Sequence, residues 1–418
     1  MESKRSSKLP RTVLAGVLWL AATAPLTAQN SFEVLHSFGG PGDGVGPSSG
    51  AIFDRRGNAY GETLGGGSMA CAYGCGLVYE LSRQEGGAWA ETILYEFTGG
   101  TDGYEPNGGL AIDGAGNLYG VTRSGGANGY GAAFELTPGA SGWREATLYS
   151  FCTPPACTDG FEPRSAPVLD PADNLYGTAG NVAYELSPGP SGWTETVLYT
   201  FCSQPNCTDG GDPQALVRDA AGNLYGATYD GGSSNDGVIF ALRPQPGGQW
   251  QYQVLYSFQG SDDGEHPNAA TLHNGALFGS TNNGGGSKLC TTGCGTVFEL
   301  AAGKAGGPPV ETVLHRFGPP SQGILPLGPV AFVSAGDAFG VAGDGGGPCG
   351  CGAVFEISAG GRGKPPVYRV AHDFDGQDGA LPLYVSTHGG NVFGTTLGGG
   401  QYGVGVVFEI SAPPDAVK

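Results

Sequence analysis

Six aspartates recur along this 418-residue chain, at near-constant spacing but for one skipped copy, each opening an Asp-Gly-x-x-Pro loop. They are Asp43, Asp102, Asp159, Asp209, Asp263 and Asp378, with Glu105, Glu162, Asp212 and Glu265 inside four of the loops. Carboxylates beside backbone carbonyls in a tight loop can hold Ca²⁺, which takes oxygen ligands. The competing reading is that Asp-Gly starts a turn and Pro fixes its exit. Ligands of one ion must converge, and these are spread through the repeats, so the turn is favoured. The six aspartates are therefore expected to mark a ligand-binding face. Ca²⁺ is the one cofactor their chemistry admits, and no metal centre is assigned.

The ten cysteines form five local pairs: Cys71 with Cys75, Cys152 with Cys157, Cys202 with Cys207, Cys290 with Cys294, and Cys349 with Cys351. In an exported chain such pairs read as loop disulfides. Cys349 and Cys351 are so close in sequence that their bridge is the open case. Zinc is the rival for such spacings, but almost no His lies nearby to complete a site. Glu80, Glu135, Glu185, Glu299, Glu356 and Glu409 also recur, with Ala241 in the seventh place. Recurrence marks them as structural. His36, His315 and His372 stand where other copies have Tyr95, Tyr149 and Tyr199, while His266, His273 and His388 share no motif. Trp89, Trp143, Trp193 and Trp250 could stack on sugars, but their repeated placement favours packing. The sequence offers no Ser/His/Asp grouping, phosphate loop or metalloprotease helix, so no catalytic residue is assigned.

What must position these residues is a repeat. A Phe recurs at 38, 97, 151, 201, 258, 317 and 374, at intervals of 50 to 59 residues. A middle aromatic recurs from Tyr60 to Phe393, and a closing one from Tyr79 to Phe408. Each copy parses into four short strands, a to d, rich in aromatic and β-branched residues. In the second copy strand a is placed at Leu110–Asp113, b at Asn117–Thr122, c at Ala132–Leu136 and d at Trp143–Phe151. In the third copy Trp193, Glu195, Val197 and Tyr199 are expected on one face of strand d, with Thr194, Thr196, Leu198 and Thr200 on the other. Four strands in each of seven copies predict an all-β, seven-bladed β-propeller. The last copy lacks strand d, and the segment Phe32–Phe38 matches one, so the N-terminal strand is expected to close the ring. In that fold the d-to-a and b-to-c loops share one face. All five Cys pairs fall there.

The phrase Gly116-Asn117-Leu118-Tyr119-Gly120-Val121-Thr122, followed by Gly125-Gly126 and Phe134-Glu135-Leu136, resembles the choice-of-anchor tandem repeat family called GloVer. The resemblance covers nearly the whole mature chain. It implies an exported bacterial protein with no catalytic residues to carry over. Family members often end in a sorting anchor, and Ala412-Pro413-Pro414-Asp415-Ala416-Val417-Lys418 looks like none of these. The Asp-x-x-Gly-Asn-Leu-Tyr turn also looks like the hairpins of NHL and regulator-type sensor propellers.

Composition bounds the function. Gly reaches 80 and Pro 30, which suits short strands and tight turns rather than helices. A formal net charge of −19 disfavours nucleic acid as a partner. Lys4, Arg5, Lys8 and Arg11 precede an apolar stretch from Val13 to Ala24 and a small-residue site at Leu26-Thr27-Ala28. That pattern predicts a signal peptide over 1–28, cleaved after Ala28, and one propeller domain over 29–418. The expected product is secreted, extracellular or periplasmic, with no membrane span, and monomeric. Its expected role is a non-catalytic binding or scaffold module for a glycan or a surface protein. The alternative is a secreted polysaccharide hydrolase or lyase with acidic residues near the channel.

Overall fold

The computed structural model describes residues 31–411, apart from 41, 304–305, 335 and 361–363. The expected signal peptide lies outside the described residues. Seven antiparallel sheets form the ring of a β-propeller. Blades 1 to 6 span 44–96, 104–150, 168–200, 211–257, 265–316 and 324–373. Blade 7 takes 380–411 together with Ser31–Ser37. The N-terminal strand pairs antiparallel with Val406–Ser411, Ser31 facing Ser411 and Ser37 facing Val406. The ring is thus closed by one strand from the start of the chain and three from its end.

The repeat phrase explains the blade. Asp113 Oδ1 accepts the backbone N–H groups of Ala115, Gly116 and Asn117, which turns strand a into strand b. Gly116 takes φ +93°, a region open to Gly but costly for other residues. Gly120 then faces the ring of Phe134 on strand c, and a methyl group there would overlap that ring. The same opposition of Gly and aromatic recurs in every blade, from Gly61 on Tyr79 to Gly394 on Phe408. The spaced Phe of strand d completes the core across each seam. Phe97 packs edge-on against Phe134 of the next blade with centroids 5.1 Å apart, and Phe38 meets Tyr79 the same way. Phe38, Phe97 and Phe134 are fully buried.

Two strand expectations need correction. Strand a of blade 2 starts at Tyr104, not Leu110, and runs as Tyr104–Pro106 and Ala111–Ile112. Pro106 of the Asp-Gly-x-x-Pro loop thus lies within the strand, which breaks at Gly108-Gly109. Strand d does not alternate throughout. Ala183 faces Tyr199 while Tyr184 faces Val197, so Leu198 is an extra residue, and Val197 turns to solvent. A bulge falls at the same place in every strand d, at Leu35, Leu94, Leu148, Leu198, Leu255, Leu314 and Ala371. A bulge re-aims the side chains beyond it. In six blades it points the next residue, Tyr or His, at the loop aspartate; His315 has no such aspartate.

Candidate functional site

Each cysteine lies within bridging distance of its expected partner. Cys71 meets Cys75, Cys152 meets Cys157, Cys202 meets Cys207 and Cys290 meets Cys294. Cys349 also meets Cys351, the pair that the sequence left open. The pairs of Cys152 with Cys157 and of Cys202 with Cys207 sit in the d-to-a loops after blades 2 and 3. Those of Cys71 with Cys75, Cys290 with Cys294 and Cys349 with Cys351 sit in the b-to-c loops of blades 1, 5 and 6. One face of the ring therefore carries the staples.

The six loop aspartates line that face, but their oxygens point into their own loops. Asp159 Oδ2 accepts the Tyr149 hydroxyl at 2.7 Å and the Thr153 hydroxyl at 2.8 Å. Asp209 Oδ2 accepts from Tyr199 and Ser203, each at 2.8 Å. Asp102 takes Tyr95 and Thr98, Asp263 takes Tyr256, and Asp378 takes His372. Asp102, Asp159 and Asp209 are buried. Burial works against ionisation of Asp159, but hydrogen bonds from Tyr149 and Thr153 outweigh it and hold the carboxyl below its ordinary range. These aspartates shape the loops from within. The opposite face repeats a second aspartate at the a-to-b turn, at 54, 113, 170 and 219, each bonded to the Asn four residues on.

Four of the six histidines prove to follow the repeat. His315 and His372 occupy the strand-d Tyr position and stack on Tyr368 and Phe32 of the next blade. His273 and His388 stand where the turn aspartate stands elsewhere, and stack on Phe332 and Phe53 of the next blade. Trp143, Trp193 and Trp250 pack edge-on against Tyr60, Tyr119 and Tyr176 of the preceding blade. Among the strand-c glutamates, Glu135 accepts from Tyr119, and Glu356 pairs with Arg369.

The residues that the repeat does not reveal line the central channel. A cavity of about 510 Å³ opens there, with walls from all seven blades. Ser165, Thr178, Gln214, Asn268, Asn282 and Ser386 give it hydroxyl and amide groups, and Tyr229 and Tyr384 give it aromatic surface. It presents one carboxylate, Asp212, and one guanidinium, Arg164. Apart from Asp212, which lies inside an Asp-Gly-x-x-Pro loop, these positions vary between copies and no recurring signal pointed to them.

Glu62 was also missed. It lies two residues after the strand-b aromatic, where other copies have Val121, Thr178, Ala227, Ser280, Val341 and Thr395. It is fully buried in the seam between blades 1 and 2. Its Oε1 accepts the Gly109 N–H at 2.7 Å, and its Oε2 has no partner. Burial pushes the carboxyl up to about 7, against the opposing pull of the Gly109 and Gly108 amides. The alignment of Glu62 against its six counterparts was the available signal.

Bulky apolar side chains crowd the stapled face. Met69, Tyr73, Tyr130, Phe161, Leu289 and Tyr402 are exposed in its loops, and Leu381 at the loop end of a strand a. Tyr73 is 86% exposed. The other exposed ones, Val197, Val310 and Val367, lie on outer strands d. A second cavity of about 800 Å³ runs between Tyr73, Tyr104, Leu64, Leu397 and Val404.

Ring, closing strand and channel together define a seven-bladed β-propeller with a stapled upper face. Within that class, the chain belongs to the Gloeobacter/Verrucomicrobia repeat family, whose model matches residues 23–187 and again 180–408. None of the curated proteins matches it in sequence. Among solved structures, virginiamycin B lyase from Staphylococcus aureus shares the fold at 11% identity and a TM-score of 0.54, over 92% of this chain and 99% of the lyase. The extracellular domain of BT4673 from B. thetaiotaomicron aligns at 12% identity and a TM-score of 0.56, over 90% of this chain and 39% of that one. YCF48 from Cyanidioschyzon merolae aligns at 14% identity and a TM-score of 0.52, over 91% and 98%. These likenesses are of fold. Among the described residues no helix is long and apolar enough to cross a membrane.

Proposed function

We propose that this chain is an exported, non-catalytic binding propeller that holds an extended glycan across its stapled face. In this reading a signal peptide over 1–28 is removed, and residues 29–418 act as one monomeric domain. The carrying observation is the placement of exposed aromatic and apolar side chains: seven of ten lie on the stapled face. Exposed apolar side chains held on one face of the ring suit a partner that crosses it. Sugar rings offer apolar C–H faces to Tyr and Phe, and hydroxyls to the amide and hydroxyl groups of the channel mouth. The loop aspartates serve this face by fixing its d-to-a loops, one of which carries Phe161. Seven similar blades suit an extended ligand, since linked weak contacts raise avidity. A single channel carboxylate, Asp212, suits binding better than glycoside hydrolysis, which ordinarily uses two.

The test is a glycan-array screen of the mature protein and of a Tyr73→Ala/Tyr130→Ala/Tyr402→Ala variant. Binding to a defined glycan, weakened roughly tenfold or more in the variant, is expected from the loss of stacked aromatics. Unchanged binding in the variant, or turnover of the bound glycan, would overturn the reading.

A further inference from the structure

Every seam between blades repeats one arrangement near the stapled face. In six of the seven the strand-d Tyr or His of one blade meets the loop aspartate that follows it, while His315 has no such aspartate. Both face the residue six places before the spaced Phe on strand d of the next blade. In three seams the trio is Tyr, Asp and Glu, as in Tyr149, Asp159 and Glu195. In three others an aromatic replaces the Glu and stacks on the Tyr or His, as Tyr252 does on Tyr199 with centroids 3.9 Å apart. The seam between blades 7 and 1 differs from all six. It brings together His36, Asp43 and Glu91.

We infer that His36, Asp43 and Glu91 form a binding site for a divalent transition-metal ion of the Zn²⁺ class. His36 Nε2 lies 3.1 Å from Asp43 Oδ2 and 3.7 Å from Glu91 Oε2. The three ligand atoms lie within 4.8 Å of one another. Zinc–nitrogen and zinc–oxygen bonds of about 2.0–2.2 Å in a tetrahedron span edges of about 3.4 Å, which the separations of 3.1 and 3.7 Å bracket. Glu91 Oε1 is buried with no hydrogen-bond partner, as is Oε1 of Glu195 and Glu311 in two of the Tyr-Asp-Glu seams, so the imidazole of His36 is what sets this seam apart. The Gly39 and Gly44 amides donate to Asp43 and aim it, as outer partners do for metal ligands. One imidazole and two carboxylates suit Zn²⁺ better than Ca²⁺, which takes six to eight oxygens. The ion would join the N-terminal closing strand, its following loop and strand d of blade 1. The site is therefore a clasp on the seam where the chain ends meet.

The test is calorimetric titration of the chelator-treated, tag-free mature protein with ZnCl₂ and, separately, CaCl₂. His36→Tyr recreates the Tyr-Asp-Glu trio of three other seams, so it should fold; Glu91→Gln is the second variant. One Zn²⁺ site is expected in the wild type, weaker by roughly 100-fold in both variants. Saturating Zn²⁺ should raise the wild-type Tm by several degrees, and should leave that of His36→Tyr unmoved. Absence of Zn²⁺ binding to the wild type would overturn the proposal. So would equal binding in either variant, or Ca²⁺ binding as tight as Zn²⁺.

Discussion

The Tyr149 hydroxyl donates to Asp159 Oδ2 at 2.7 Å across a loop that Cys152 and Cys157 also close. The bond joins strand d of blade 2 to the turn entering blade 3. It is made because the bulge at Leu148 swings Tyr149 toward that turn. The same Tyr-to-Asp bond returns as Tyr95 to Asp102, Tyr199 to Asp209 and Tyr256 to Asp263.

Asp159→Ala should therefore act on stability. The change strands the Tyr149 hydroxyl and the Thr153 N–H, for a cost of about 1–3 kcal/mol. Urea denaturation of the variant and parent measures it. Wild-type stability combined with weakened ligand binding would show that Asp159 touches the ligand itself.

Stability should also fall as pH rises from 5 to 8. Burial, then the charge of Asp159, pushes Glu195 up to about 7; burial, then Asp263, does the same to Glu311. A folded carboxyl raised above its ordinary value holds a proton that the unfolded chain has lost. Its contribution is full below about 4.5 and disappears as pH rises through about 7. The loop carboxyls of Asp159 and Asp209 are held low, so they contribute above about 3.8 and fail only in stronger acid. Calorimetry should give a higher Tm at pH 5 than at pH 8. The Glu195→Gln/Glu311→Gln variant should shrink that gap. An unchanged gap would move its origin elsewhere.

Removing residues 29–38 should leave blade 7 one strand short. The loss takes away Phe38, fully buried against Tyr79, and Phe32, stacked on His372 at 3.6 Å. Phe38→Ala alone should cost about 3–5 kcal/mol. The truncation also exposes the open edge of Val406–Ser411 to pairing with other chains. A truncated protein that melts like the parent and stays monodisperse in light scattering would contradict the closure.

The fold was legible because its recurring residues have one physical job in every copy. The spaced Phe, the strand-b Gly and the strand-c aromatic meet at each seam, so none can drift alone. The cysteines were legible for a simpler reason: each partner, such as Cys75 for Cys71 or Cys294 for Cys290, lies within the same loop. The start of strand a was not legible, since Pro106 and the break at Gly108-Gly109 read as loop. The phase of strand d was lost at Leu198, because a bulge adds a residue without a change in residue type. The channel residues were hidden for the opposite reason. Arg164, Asn268 and Tyr384 differ between copies, and a search for what repeats passes over them. His36 was read as a stand-in for Tyr, which fits its place in the strand; Glu91, its neighbour across the seam, is far away in sequence.

Glu62 gives the sharpest contrast between copies. Its counterparts Ser280 and Thr395 donate to carbonyls of the next blade, Gly328 at 3.0 Å and Ser49 at 2.9 Å. Glu62 accepts instead, from Gly109, and leaves Oε2 buried without a partner. With its carboxyl pushed up to about 7, the folded protein at pH 8 must either bury a charge or keep a proton against the solvent. Glu62→Gln keeps an oxygen for the Gly109 N–H, adds a donor for a carbonyl, and cannot ionise. It should stabilise the protein by roughly 1–3 kcal/mol at pH 8. At pH 5 the wild-type side chain is already neutral, so the gain should nearly vanish. Denaturation of both proteins at both pH values decides it. A loss of stability at pH 8 would mean that the Glu62 charge is held by an interaction worth more than its burial costs.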